Sequence, residues 1–302
     1  MAKVPVHFMG FLGNLVDDSV TKLQLGEGFM IESGSPSDVR PFLSALHSYW
    51  GERGGRDIWP EGRFRVVKRN IAEFDATGRG GVAADPTVGE KAHIFVHDKL
   101  RLLRLFKEGN VVLPYSFLYY INESQPDPFC LRREYPIADR TPFTLTPTEV
   151  PEAQSFIDAV SLPLRESSLQ LAFENFDLSY EVHDTSLAFL SLMIALEILL
   201  YPKDSHGEIT HQISRNAAVL LGGNRQGAQD IFRDMKRLYG TRSALVHTGD
   251  RSSVARQDVL DLRQYVRQTI KEAMSSRMSK DELLKMLNAC GFGQRPWKES
   301  AE

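Results

Sequence analysis

Proline placement is the feature that most restricts how this chain folds. Eight of its 15 prolines lie between Pro114 and Pro163. Proline removes a backbone donor and disfavours helix at the residue before it. We therefore predict an extended connection between two units. The predicted divisions are a first domain over 1–121, the proline-rich connection over 122–150, a second domain over 151–290 and a tail over 291–302.

The residues before the connection predict a mixed, β-rich unit. Short β-prone runs occur at Gly28–Ile31 and Phe64–Val67, flanked by glycine, serine and charged residues. Val39–Trp50 has the spacing of an amphipathic helix. His93–Phe106 fits either a strand or a helix.

After the connection, apolar residues recur at helical spacing. Proline, glycine and capping residues set the predicted bounds: Asp184 caps the central buried helix, Pro202 stops it, Gly222-Gly223 forms a left-handed cap, and Gly240 interrupts a helix. The predicted helices are two pieces of Glu152–Tyr180 divided at Pro163, then Thr185–Tyr201, Glu208–Leu221, Ala228–Tyr239, Val254–Met274 and Lys280–Asn288. The predicted fold class is α+β, with a β-rich unit followed by an all-α bundle.

Charge, cysteine content and hydropathy exclude several classes of protein. The 36 basic and 39 acidic residues give a net charge of −3, unlike a polycation that coats nucleic acid. Cys130 and Cys290 form neither a disulfide framework nor a zinc motif, which favours a reducing, cytoplasmic location. The N-terminus lacks the pattern of a signal peptide. The longest apolar run, Leu187–Tyr201, contains Glu197 and is shorter than a bilayer span, so we expect no membrane association.

Common catalytic signatures are not found in the sequence. It contains neither a phosphate loop of the form GxxxxGK[ST] nor a GxSxG nucleophile elbow. His93 and His97 are four residues apart, as in a helical metal-binding pair, but without an obvious third ligand. Two ordinary, partly buried histidines are the preferred interpretation, and we predict no metal or cofactor.

The most informative stretch is Leu238–Asp250, which places Arg242 five residues before His247. Histidine can move a proton near neutral pH, and a guanidinium can neutralise a phosphate. Five residues turn about 140° around a helix, however, so the two side chains do not share one face. The alternative is structural: Arg242 pairs with an acid such as Glu197, and His247 caps the helix end.

Basic residues are concentrated around this stretch. The segment from Arg225 to Lys271 contains ten Lys or Arg and five Asp, a local charge of +5. Such a segment is compatible with RNA as a partner. Solvated faces of amphipathic helices give the same pattern.

At these residues the sequence resembles the HEPN superfamily, and within it the ApeA-like branch. The superfamily is marked by R-x(4–6)-H near the end of a bundle helix, which matches Arg242 to His247. Two further segments match the branch in order, namely Leu192–Leu199 and Ile213–Leu221. The resemblance covers about Gln154 to Met274.

The resemblance implies a helical bundle that often dimerises and brings two motifs together across a symmetric cleft. Many such proteins are metal-independent ribonucleases. His247 would then be the acid or base and Arg242 the phosphate binder, with Ser243 as an auxiliary polar group where catalytic members often carry Asn, His or Asp. Glu197 and Arg215 would orient the site, or alternatively form a buried ion pair that fixes helix register.

These observations predict a dimeric, metal-independent endoribonuclease that acts on RNA in phage defence or a toxin-like stress response. The N-terminal domain would sense or restrain it. The alternative from another class is a non-catalytic helical module for dimerisation, or for binding a nucleotide or a partner.

Overall fold

The computed structural model describes residues 3–16, 22–34, 36–50, 64–76, 85–133, 138–202 and 208–294. The chain divides into two compact units, Met1–Ser161 and Leu162–Glu302. Most of the predicted tail, residues 295–302, lies outside the described residues.

The first unit combines an antiparallel sheet with helices. Its elements are β1 (Lys3–Gly13), β2 (Lys22–Gly26), β3 (Phe29–Ser33), α1 (Pro36–Trp50), β4 (Phe64–Asp75), α2 (Pro86–Phe106), β5 (Val112–Asn122), β6 (Gln125–Arg133) and α3 (Val150–Ala159). The sheet has six strands in the order β2-β3-β4-β1-β5-β6, so β1 is central. The two β-prone runs and the amphipathic helix are confirmed, and the ambiguous segment His93–Phe106 is helical.

An aromatic cluster holds α1 against the sheet. Phe42 on α1 is fully buried and packs edge-on against Phe11 of β1 and Phe117 of β5, with ring centroids 5.6 and 5.2 Å apart. Edge-to-face pairs add to the stabilisation that burial provides. Leu46, one turn further along α1, belongs to the same cluster. The helical spacing of the apolar residues therefore fixes which face of α1 meets the sheet.

A side chain pairs with the outer edge of β2. The backbone N–H of Gln24 donates to Oε1 of Gln154 on α3, and Nε2 of Gln154 donates to the Gln24 carbonyl, both at 2.9 Å. The side-chain amide of Gln154 thus takes the place that a neighbouring strand would occupy.

The structure places the division between units later than the sequence analysis does. Residues 125–133 of the predicted connection form β6, which pairs with β5. Pro126 and Pro128 are tolerated because β6 is an edge strand, where missing donors do not interrupt the sheet. Helix α3, predicted to open the second domain, contacts β2 and α2 instead. The division falls beside Pro163, the last proline of the cluster.

In the second unit, the described residues form six α-helices, of which one is central and the other five surround it. They are α4 (Ser167–Glu181), α5 (Thr185–Leu200), α6 (Ile209–Leu221), α7 (Arg225–Thr248), α8 (Arg256–Ser276) and α9 (Lys280–Ala289). Helix α5 packs against all five others. The Asp184 side chain caps it by accepting from the N–H groups of Ser186 and Leu187, which confirms the predicted start.

Gly222 follows α6, but the left-handed cap predicted there is wrong, because its φ is −70°. Close packing requires the glycine instead. A Cβ at this position would lie 2.5 Å from Cα and Cβ of Ala228 on α7 and 2.6 Å from the carbonyl oxygen of Ala218, whereas one at Gly223 would have nothing within 4 Å. Glycine therefore lets α6 and α7 approach each other.

Candidate functional site

Helix α7 carries the Arg/His motif on its last turns. Its start is capped by the Asn224 side chain, which accepts from the N–H of Gly227, and it ends at Gly249, whose φ of 69° is left-handed. The predicted interruption at Gly240 is wrong, because α7 continues through it. One glycine costs a helix only about 1 kcal/mol, and packing against α6 offsets this.

Arg242 lies in an ion pair that connects α7 to α5. Its Nη2 is 3.5 Å from Oε1 of Glu197, and the Arg242 side chain is about one-third exposed (32%). Tyr239, one turn earlier and almost fully buried, donates its hydroxyl to the same Oε1 at 3.1 Å. Burial and the Glu197 carboxylate raise the pKa of the Tyr239 phenol well above its ordinary value, so it remains a donor. Glu197 therefore has a fixed donor that is independent of Arg242.

His247 and Ser243 are exposed on the same helix. His247 lies in the last turn of α7. Because α7 is continuous, His247 is about 7.5 Å along the axis and about 140° around it from Arg242. One chain does not place the imidazole beside the guanidinium. Arg242 and His247 therefore lie on different faces of α7.

The structure does not bring Arg215 to this site. Its guanidinium donates to the carbonyls of Leu287, Asn288 and Cys290, at 3.0, 3.3 and 2.8 Å, at the end of α9. Arginine at such a position satisfies carbonyls that a helix end leaves without partners. Arg215 therefore caps α9, and Glu197 pairs with Arg242 instead.

Several arginines of the predicted basic segment are buried or paired in the fold. Arg263 and Arg267 of α8 are buried. Four other arginines have acidic partners: Arg233 with Asp230, Arg237 with Asp258 and Asp261, Arg242 with Glu197, and Arg251 with Asp184. The local charge of +5 therefore does not translate into an equally basic surface.

The two buried arginines are structural residues that sequence reasoning missed. Arg263 donates to the carbonyl and hydroxyl of Ser179 and stacks on the ring of Tyr180, 3.8 Å from its centroid. Arg267 donates to the Tyr180 hydroxyl at 2.8 Å. Their four-residue spacing directly beside the apolar stripe of α8 was the available signal.

His93 and His97 share α2, as the helical alternative requires. His93 is 2% exposed, and its Nδ1 lies 2.7 Å from the Ser116 hydroxyl on β5. His97 is half-buried. Within the described residues, no group of three or more His, Cys, Asp or Glu side chains is placed to hold a metal ion.

Comparisons of the chain with protein-family models, with curated proteins and with solved structures found no match. The resemblance to the HEPN superfamily therefore rests on the ordered motifs of the sequence. None of the described helices has both the length and the hydropathy needed to cross a bilayer.

Proposed function

We propose that the second unit is a HEPN-type, metal-independent endoribonuclease. The observation that carries the proposal is the placement of Arg242 and His247 on the last turns of α7, with Arg242 partly exposed beside Glu197 and His247 exposed. Arginine suits a phosphate because its planar fork presents several donors. Histidine suits proton transfer at neutral pH.

In the proposed reaction, the ribose 2′-oxygen attacks the adjacent phosphorus, and the bond from phosphorus to the 5′-oxygen breaks. His247 takes the proton of the attacking hydroxyl or gives one to the leaving oxygen, and water exchanges the other proton. Arg242 stabilises the charge that develops on the phosphate. Ser243, exposed beside Arg242, supplies an additional hydroxyl.

We further propose a homodimer formed through α5. Leu187 and Ile194 are 52% and 45% exposed, and Leu190 and Ile198 on the same side are half-buried. Val246 of α7, beside the motif, is 48% exposed. This apolar stripe contains no charge other than Glu197, which Arg242 already neutralises. Two copies can therefore pack their stripes about a two-fold axis without burying an unpaired charge.

Cleavage of single-stranded RNA in the presence of EDTA tests the activity. We expect Arg242→Ala and His247→Ala each to lower the rate at least about 100-fold, as loss of an acid–base or charge-stabilising group does. Arg233→Ala, on the same helix, and His183→Ala, also exposed, are matched controls that should cleave like the wild type. Equal cleavage by all variants, or none by the wild type, would contradict the proposal.

Light scattering after size-exclusion chromatography tests the dimer. Ile194→Lys should convert a dimer to a monomer and reduce cleavage, since the site needs two copies. Ile121→Lys changes an exposed apolar residue of β5 and should leave the mass unchanged. A monomeric wild type that cleaves RNA would contradict the need for a second copy.

We propose that the first unit senses a signal or restrains the second, within phage defence or a toxin-like stress response in the cytoplasm. The truncated second unit can be compared with the full chain in infected and uninfected cells. If it cleaves RNA no faster than the full chain in either case, this result would count against restraint by the first unit.

A non-catalytic helical module that dimerises or binds a nucleotide or a partner is the second candidate. It is favoured by the ion pairs of four arginines in and around the motif. It predicts that His247→Ala preserves function whereas core changes at Leu196 or Leu199, both buried in α5, abolish it.

A further inference from the structure

We propose that the first unit binds a small organic acid in a cavity between the start of α2 and strands β1, β5 and β6. The cavity has a volume of about 230 Å³ and is separate from the Arg242 site. It is lined by Phe8, Pro86, Gly89, Glu90, Ser116, Phe117 and Arg132.

The inner wall of the cavity offers a fixed hydroxyl. Ser116 is 2% exposed, and its Oγ is held 2.7 Å from Nδ1 of His93, which is equally buried. A serine hydroxyl has one donor and two acceptor positions, so the histidine does not exhaust its hydrogen-bonding capacity. A hydroxyl or carbonyl group that enters the cavity therefore meets a partner whose position is already set.

An exchangeable ion pair borders the cavity. Nη1 of Arg132 is 3.2 Å from Oε1 of Glu90, and both side chains are about half exposed, at 43% and 56%. Exposed ion pairs of this kind contribute little to stability. A ligand carboxylate can take the place of Glu90 and make two parallel hydrogen bonds to the guanidinium.

The remaining walls and the volume define the ligand further. Phe8 and Pro86 contribute apolar atoms to the lining, whereas Phe117 borders the cavity with its backbone because its ring packs on Phe42 at the opposite face of the sheet. At about 30 Å³ per water, the cavity has the volume of roughly eight waters. The ligand class is therefore a monocarboxylate with a single ring or a short apolar chain and a polar group opposite its carboxylate.

Titration of the full chain with 4-hydroxybenzoate, followed by saturation-transfer NMR, tests the site. Phenol, which lacks the carboxylate, should bind roughly tenfold more weakly, as loss of a charge-assisted hydrogen bond predicts. Arg132→Gln should weaken 4-hydroxybenzoate binding by a similar factor. Glu90→Gln should strengthen it, because the competing carboxylate is gone.

Arg40→Gln is the matched control, since Arg40 is an exposed arginine on α1 away from the cavity lining. It should bind the probe like the wild type. The proposal is overturned if the wild type binds no probe at millimolar concentration, if Arg132→Gln and Arg40→Gln bind equally well, or if Glu90→Gln weakens binding. The assay uses no RNA, so its outcome is independent of ribonuclease activity.

Discussion

Glu197→Gln is the substitution that most directly probes Arg242. It keeps the size of the side chain and an oxygen that can accept the Tyr239 hydroxyl, and it removes the negative charge opposite the guanidinium. If Arg242 binds a phosphate of RNA, then Glu197 competes with that phosphate. We therefore expect the variant to bind RNA more tightly and with a steeper dependence on salt.

The size of the effect follows from the distance in the pair. Two unit charges 3.5 Å apart attract by about 1 kcal/mol in a water-like dielectric, and measured values for partly exposed pairs reach about 1 kcal/mol. Release of Arg242 should then tighten binding about fivefold. One more neutralised phosphate should make the slope of log K against log salt more negative by about 0.7 for single-stranded RNA.

Fluorescence anisotropy with labelled 2′-O-methyl RNA, which cannot be cleaved through its 2′-oxygen, measures both quantities over a series of KCl concentrations. Asp230→Asn is the matched control, because it frees Arg233 near the other end of α7 and changes the net charge equally. We expect Glu197→Gln to tighten RNA binding and steepen its salt dependence more than Asp230→Asn does. Equal effects of the two variants, or an unchanged slope in Glu197→Gln, would refute the assignment of Arg242 to phosphate.

Three further predictions concern stability. Gly222→Ala should lower the free energy of unfolding by about 2 kcal/mol, because its Cβ meets backbone that cannot rotate away. Gly223→Ala should not lower it. Equal free energies for the two variants in urea unfolding would contradict this prediction. Gly240→Ala, with open space around its Cβ, should raise the free energy of unfolding by about 0.5–1 kcal/mol. A urea midpoint below that of the wild type would count against a continuous α7. Burial and the charge of a nearby arginine lower the pKa of His7 below 6.5, and its Nδ1 accepts from the N–H of Asn70. The contribution of His7 to stability is therefore complete above pH 6.5 and is lost as the pH falls through the folded-state pKa. His7→Gln should flatten the dependence of stability on pH below 6.5. An unchanged dependence would refute this prediction.

Helices of the second unit were predictable because their signals are local. Asp184 and Pro202 bracket α5, and apolar spacing marks α8. Strand β1 received no prediction, since Pro5 and Gly10 interrupt its β-prone pattern, and only pairing with β4 and β5 on both sides makes it central. Gly222 was recognised as a helix end, but glycine is required there because a Cβ would meet a residue of the next helix. A rule for helix caps does not include such a contact.

The candidate site was predictable only in part. Pairing of Arg242 with Glu197 was one of two alternatives, and the structure shows this contact. The position of Arg215 had no such signal, because its partners are backbone carbonyls more than 70 residues later in the chain. Tyr239 lies within the motif itself, yet its contact with Glu197 depends on how α7 packs beside α5.

The amide of Gln154 on the edge of β2 also affects how copies of this protein can associate. A strand from another molecule would have to displace α3 before it reached the N–H and carbonyl of Gln24. At the opposite edge, Pro126 and Pro128 leave β6 with two fewer amide donors. Both edges of the sheet thus disfavour the addition of a strand from another molecule, and with it polymerisation of the first unit through its sheet.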